Sequence, residues 1–427
     1  MHAGAKETVR NRRSTTRLRN GEFSNPLTQY EASMSARPRF KPRSVVDGVE
    51  RVRHQRRAAY PDTTSRRGRL DHHRRAWPSG VRSDAATECS VVDNGEQPPG
   101  AVIRIERRDD PVNAVTEDDA ARRAAAYPNL RVGAPLFGHA VDLGDGRWQV
   151  HALVDDAPQQ ARDTLASRLR EQLAETADPD LAAELTATGR VLDWEKVDEV
   201  TVAGRRHRIV RADTFARFGP DGPEPPRPTD PDPRETDGCD SFVGGDDVIV
   251  DPDAPTGVAE AVLKVELLPA HYPRATVPAD VYAQSVAAVR SHPNGVLLPT
   301  RYAVAEYVAG AWQPSSRAVA TAQEARESIM FDFRWLIPRT GNPSEDEAAA
   351  YRQAADDLEA SRADEVSVLG RRFRITRIET LLRFSSDGPE GPRPSDHDPD
   401  PPPEAHFAQL RAQGLLPDPD TPQEEHP

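Results

Sequence analysis

Cysteine is scarce in this sequence, aromatic residues are few, and long apolar runs are missing; each shortage removes a class of protein. The two cysteines, Cys89 and Cys239, stand in polar Gly/Asp/Ser-rich surroundings and form no CxxC pair. Neither a disulfide framework nor a thiolate zinc site is expected. No window approaches the 18 or so consecutive apolar residues of a membrane span, and the N-terminus lacks the apolar stretch of a secretory signal. The expected compartment is cytoplasmic, with no membrane partner. Familiar catalytic signatures are missing too: there is no GxSxG, no Walker loop, no GxGxxG ahead of a helix and no HExxH. That lowers the case for an enzyme without closing it, because catalytic groups can converge from distant positions.

Proline is abundant (40 residues), and charge, at 29% of the chain, is unevenly placed. Residues 1–100 hold 20 Lys+Arg against 11 Asp+Glu, a balance of +9, whereas the remainder holds 36 against 58, a balance of −22. A basic arm on an acidic body is the reading. The acidic body argues against nucleic acid as its partner, since phosphate contacts supply most of that affinity. In residues 1–98 the arginines cluster without period, as at Arg51, Arg53, Arg56 and Arg57 and at Arg74 and Arg75. Apolar residues there are too scattered to build a core, and the arm reads as disordered. It is a polyanion-binding tail (the one route to nucleic acid), a solvated tail, or an over-extended reading frame.

Beyond the arm the chain repeats itself. Residues 198–233 align with residues 364–399 without a gap, and 23 of the 36 positions are identical. Weaker matches extend upstream: Ala101–Glu106 with Ala261–Glu266, Trp148 and Gln149 with Trp312 and Gln313, and Gln159–Leu165 with Gln323–Ile329. The expected fold class is α+β, as two tandem copies of a module of antiparallel hairpins with helices packed on them. Copy one spans 99–233 and copy two 259–399, with an acidic Pro/Gly linker at 234–258 and an acidic Pro-rich tail at 400–427. Within copy one, Ala101–Glu106 reads as a strand and Asp118–Tyr127 as a short helix. Phe137–Leu143 and Trp148–Val154 form a hairpin about Gly144-Asp145-Gly146. Asp156 is the expected N-cap of a helix with Ala161, Leu165, Leu169 and Leu173 on one stripe. A second helix precedes Val197, and Val200 and Val202 lie on a strand that turns at Gly204 into a return strand carrying His207 and Ile209.

Polar residues that recur in both copies carry the functional reading. Arg205, Arg206, Arg208, Arg211, Arg217 and Arg227 return as Arg371, Arg372, Arg374, Arg377, Arg383 and Arg393. Asp198, Glu199, Asp221, Glu224, Asp230 and Asp232 return 166 positions later. Guanidinium forks match carboxylate and phosphate, so Arg208, Arg211, Arg374 and Arg377 are the candidate ligand-binding residues for an anion. Equal numbers of acids and arginines fit a structural ion-pair lattice equally well, and both readings stand. Gly222–Pro228 is either a polyproline ligand or a rigid turn. The aspartates at 230, 232, 237, 240, 246 and 247 lack the spacing of a calcium loop. His397 between Asp396 and Asp398 is weak support for a metal, and His151, His271 and His292 have no partners at ligand spacing. No metal, cofactor or catalytic residue is assigned.

Pro135-Leu136-Phe137-Gly138, Asp155-Asp156 through Arg162, Val197–Ala212 and Phe218–Asp230 together resemble an uncharacterised family of actinobacterial proteins, sometimes labelled PE-PGRS by automated naming. The resemblance covers roughly residues 100–400 and implies an actinobacterial origin and no particular activity. The leading expectation is a non-enzymatic binding or interaction protein, built as an internal pseudo-dimer with a protein partner. The alternatives are an anionic small-molecule binder or enzyme with its site between the modules, and nucleic-acid binding through residues 1–98.

Overall fold

The computed structural model describes residues 102–107, 111–233 and 247–416. The basic arm, Cys89, Cys239 and most of the acidic linker lie outside them. The fold mixes helix and strand about one curled antiparallel sheet. Its elements in chain order are α1 (Pro111–Ala126), β1 (Asn129–Val132), β2 (Leu136–Asp142), β3 (Trp148–Asp155), α2 (Pro158–Glu175), α3 (Pro179–Trp194), β4 (Glu199–Val202), β5 (Arg205–Gly219), β6 (Gly222–Pro223), β7 (Val248–Val250) and α4 (Val258–Leu267). Then come α5 (Ala279–Ser291), β8 (Asn294–Val308), β9 (Ala311–Pro314), α6 (Ala322–Phe331), a π-helical turn (Asp332–Leu336), α7 (Ile337–Thr340), α8 (Glu345–Ser361), β10 (Glu365–Val368), β11 (Arg371–Ser385), β12 (Gly388–Pro389) and α9 (Pro403–Ala412).

The sheet runs β7-β3-β2-β5-β11-β8-β9, with β1, β4 and β6 paired to β5, and β10 and β12 to β11. Its middle is the antiparallel pair β5–β11, in register Ala212↔Leu382, Asp213↔Leu381, Thr214↔Thr380 and Phe215↔Glu379. Thr214 and Thr380 hold the same place in the sequence repeat, so equivalent residues face each other there. Odd-numbered positions of the two long strands point to the helices. Ile209 joins Phe137, Leu165, Leu169 and Leu192 beneath α2 and α3, and Phe373 and Ile375 join Ile329, Phe333 and Leu358 beneath α6 and α8. Even-numbered positions line the inner face of the curl. There Val210 and Ala212 pack with Trp148, Leu382 and Phe384, and Ala216 and Phe218 with Trp312 and Ile378.

The hairpin, the three helices of copy one and the strand pair about Gly204 stand where the sequence reading puts them, the first helix being longer (Pro111–Ala126 against 118–127), and Gly204 has φ +70°. Three details differ. Ile105 makes only an isolated bridge to Thr256, and the matched Ala261–Glu266 lies inside α4. The alternation of apolar and charged residues in Ala101–Glu106 reads as a strand, but in the matched segment Ala261, Lys264 and Leu267 are buried at a spacing of three, which is helical. The N-cap of α2 is Ala157 rather than Asp156; the Asp156 carboxylate accepts from Arg317 at 3.0 Å. The acidic segments thought to lack structure contribute β7, which pairs with β3, and α9. None of the helices among the described residues is long and apolar enough to cross a membrane.

Two turns cross over the sheet. Gly222 and Gly388 have φ of +121° and +124°, and each sits against a tryptophan of the opposite repeat, Trp312 and Trp148 respectively. A Cβ at Gly388 would lie 2.5 Å from Trp148. Gly388→Ala therefore adds a steric clash to an unfavourable φ, and we expect it to cost about 2 kcal/mol or more in urea unfolding. An unchanged midpoint would show that the turn does not seat on Trp148.

Candidate functional site

The four candidate arginines, Arg208, Arg211, Arg374 and Arg377, all lie on β5 and β11, and each is tied to carboxylates. Arg208 donates from Nε to Glu199 at 2.7 Å, from Nη2 to Asp387 at 2.5 Å and from Nη1 to the Pro389 carbonyl at 3.2 Å. Arg374 donates to Glu365 at 2.9 Å and to the Pro223 carbonyl at 3.2 Å. Arg211 donates to Asp213 and, at 3.1 Å, to Asp396. Arg377 pairs with Glu379, with Asp230 at 3.0 Å and with Thr300 at 2.9 Å. The turns supply backbone as well: the Arg211 N–H donates to the Glu390 carbonyl and the Arg377 N–H to the Glu224 carbonyl, both at 2.9 Å. These groups fill the ladder positions beside β5 and β11 that neither β4 and β10 nor the central pairing reaches.

The helices repeat the exchange. Arg162 of α2 donates to Asp198 at 2.6 Å and to Asp398 at 2.8 Å. Arg326 of α6 donates to Asp364 at 2.7 Å and to Asp232 at 2.9 Å. In each set one carboxylate comes from the arginine's own repeat and one from the other.

The charge network is deepest on the helix side of β5–β11. Asp213, 5% exposed, accepts from Arg383 at 2.8 Å and from Arg211, with Arg393 at 3.6 Å. Burial works to raise the Asp213 carboxyl, but Arg211, Arg393 and Arg383 together hold it well below the usual carboxylate range. Burial alone would lower the Arg211 guanidinium; Asp213, Asp396 and Glu390 raise it. Arg383 also caps the C-terminal end of α4, donating to the carbonyls of Leu268 at 2.7 Å and Ala270 at 2.8 Å. The repeat breaks here: Arg217, which matches Arg383, pairs instead with Glu266 of α4.

Sequence reasoning missed a second cluster. His139 of β2, His151 of β3 and His207 of β5 lie on the helix-covered face near the β7 edge, with His139 and His151 stacked at 4.8 Å. The His151 Nδ1 pairs with Asp247, which also accepts from Arg168 of α2 at 3.2 Å. The Nδ1 atoms of His139 and His207 are buried without a hydrogen-bond partner. Burial, reinforced by His151, Arg168 and His207, pushes His139 down to about 3 against the pull of Asp247. Burial also lowers His151 and His207. The signal was in the sequence: the period-two alternation of β2, β3 and β5 puts all three on one face. Reading them singly hid it. No group of three or more His, Cys, Asp or Glu among the described residues is arranged to hold a metal.

Residues 110–399 match the model of a family of unknown function, DUF5954. The chain belongs to that family. No curated protein and no solved structure matches it, so neither an activity nor a structural precedent comes with the DUF5954 assignment.

Two measurements follow. Asp213→Ala leaves Arg211 and Arg383 short of a buried counter-charge, and we expect a loss of about 3–5 kcal/mol in denaturant unfolding. Asp387→Ala, whose side chain is 67% exposed, should cost under about 1 kcal/mol; equal losses would place the two networks on one footing. The histidines set a pH dependence. Since the folded His139 binds its proton only near 3, the unfolded chain holds more protons at any pH between there and about 6.5. Stability is therefore full above that window and falls as pH drops, by about 2 kcal/mol between pH 7 and 5 from His139 alone. His139→Val, which places the matching Val304 side chain in β2, should flatten the slope; an unaltered slope would assign the protons elsewhere.

Proposed function

We propose that this DUF5954 protein is a non-enzymatic binding or interaction protein built as an internal pseudo-dimer, with residues 99–233 and 259–399 as its two tandem modules. One observation carries the reading: repeat-equivalent groups exchange partners reciprocally. Arg211 takes Asp396 while Arg377 takes Asp230, Arg162 takes Asp398 while Arg326 takes Asp232, and Thr214 pairs with Thr380. Reciprocity of that kind belongs to an isologous interface, in which i contacts j and j contacts i. On this reading Arg208, Arg211, Arg374 and Arg377 form the lattice that joins the modules, because an anion would have to displace a carboxylate from each.

A partner role is supported by the outer helices, where the two repeats differ. On α3, Val191 and Trp194 are exposed beside small residues, including Ala183 and Ala187, along a groove of about 840 Å³. In the other repeat the exposed apolar residues are Phe331, Trp335 and Leu336. Exposed tryptophan and phenylalanine in groups mark interaction surfaces more often than chance.

The architecture is tested by cutting the chain between residues 234 and 246. Co-expressed halves should assemble one to one and unfold as one unit, and residues 99–233 alone should aggregate. A well-folded monomer of 99–233 with no affinity for the other half would remove the pseudo-dimer. The partner role is tested by native mass spectrometry of the full chain from its own host. A co-purifying polypeptide lost in Trp194→Glu or Trp335→Glu is the expected result; a bare chain, or a companion indifferent to both changes, would count against it.

A further inference from the structure

Among the described residues the buried arginines meet carboxylates; the half-buried Arg301 does not. Its Nη2 donates to the Ala318 carbonyl at 2.9 Å, and its Nε is buried with no partner. Burial lowers its affinity for the proton, and Glu324 opposes that through space. Arg301 lies on β8 opposite Ile378 of β11, facing the inner side of the curled sheet. Three strands away, Arg131 of β1 stands opposite Ala216 of β5 on the same side. It has no ion pair among the described residues; its exposed side chain carries the guanidinium 4.0 Å over the Phe218 ring, and partial burial lowers it as well.

The central ladder aligns the two. Phe215 pairs with Glu379, so one step on sets Ala216 beside Ile378, and both belong to one buried cluster with Phe218 and Trp312. Arg131, Ala216, Ile378 and Arg301 thus form one row across β1, β5, β11 and β8. Three strand spacings put the outer Cα atoms about 14 Å apart on a flat sheet, and the curl brings them closer. Two extended guanidinium side chains facing each other over an apolar floor can then share one small ligand.

The sequence repeat supplies the control. The matching row at the other end of the same face is Leu136, Ala212, Leu382 and Val296, paired in that order. It is apolar throughout and packs into the cluster around Trp148. The fold therefore does not need arginine at these places. Arg301, with its Nε unpartnered, carries a desolvation cost that the apolar row avoids, and Arg131, exposed and stacked on Phe218, keeps its guanidinium available to a charged ligand.

We propose that Arg131 and Arg301 form an anion-binding site on the inner face of the sheet, taking a compact small molecule with two carboxylate or phosphate groups. The site goes beyond the pseudo-dimer reading and stands or falls separately from it. Phe218 forms the floor under Arg131, and the Ala318 carbonyl fixes the Arg301 fork.

The test uses the full chain with citrate and inorganic pyrophosphate as probes at constant ionic strength, followed by thermal shift and calorimetry. At least one probe should raise the melting temperature by several degrees and bind at least tenfold more weakly to Arg131→Val and to Arg301→Leu, which install the side chains of the matching row. Arg301→Leu without ligand should melt no lower than the parent, since it removes an unpaired buried charge. No shift with either probe, or an equal shift in both variants, would overturn the proposal. So would a ligand-free Arg301→Leu that melts well below the parent while Arg131→Val keeps the full response, because Arg301 would then be a structural residue.

Discussion

Everything in this fold depends on keeping buried guanidinium groups matched to carboxylates, and half of those carboxylates come from a distant part of the chain. Removing two charges from water costs several kcal/mol per ion, and good geometry with full hydrogen bonding is what offsets it. Arg211, Asp213 and Arg383 satisfy that condition at the middle of the sheet only because β5, β11, the turn after β11 and the end of α4 converge there. The pairing of β5 with β11 and the crossing of the two turns are therefore one event. Neither turn can seat on the opposite tryptophan unless the central strands are in register.

The edges of the sheet are closed by two different devices. On one side the chain adds β7, three residues long, against β3. On the other, β9 has only four residues and ends in Pro314, which offers no N–H to a further strand. Asp247, the residue before β7, is held by His151 and Arg168, so the histidine cluster is coupled to whether that edge stays covered. The corresponding strand pair at β9 carries neither the histidines nor the added strand.

Much of this was legible in the sequence, for identifiable reasons. Local rules delivered the hairpin at Gly144 and Gly146, the turn at Gly204 and the stripe of α2, because each depends on residues a few positions apart. The alternation in Ala101–Glu106 misled because six residues are too few to separate period two from period three, and in the matched Ala261–Glu266 Lys264 is itself buried. The segment around Val248 escaped because its neighbours are acidic and Gly-rich, and its strand exists only through pairing with β3. Arg131 and Arg301 look ordinary in the sequence. Their unpaired state is a property of the row they share, and that row is set by strands 170 residues apart.

Recurrence in an internal repeat carries a specific physical meaning. A fold constraint acts on both copies, so residues that recur, such as Arg211 with Arg377 or Gly222 with Gly388, are those without which either half fails to pack. A ligand acts on one place and leaves the other copy free to drift. Polar or titratable residues that fail to recur, in surroundings where the other copy is apolar, are thus the better pointers to function. Two sets meet that criterion. His139 and His207 stand where the other repeat has Val304 and Phe373. Arg131 and Arg301 stand where it has Val296 and Leu136. In each of the four positions the other copy carries an apolar side chain within the same molecule. Packing of this fold therefore does not require a polar side chain at any of them.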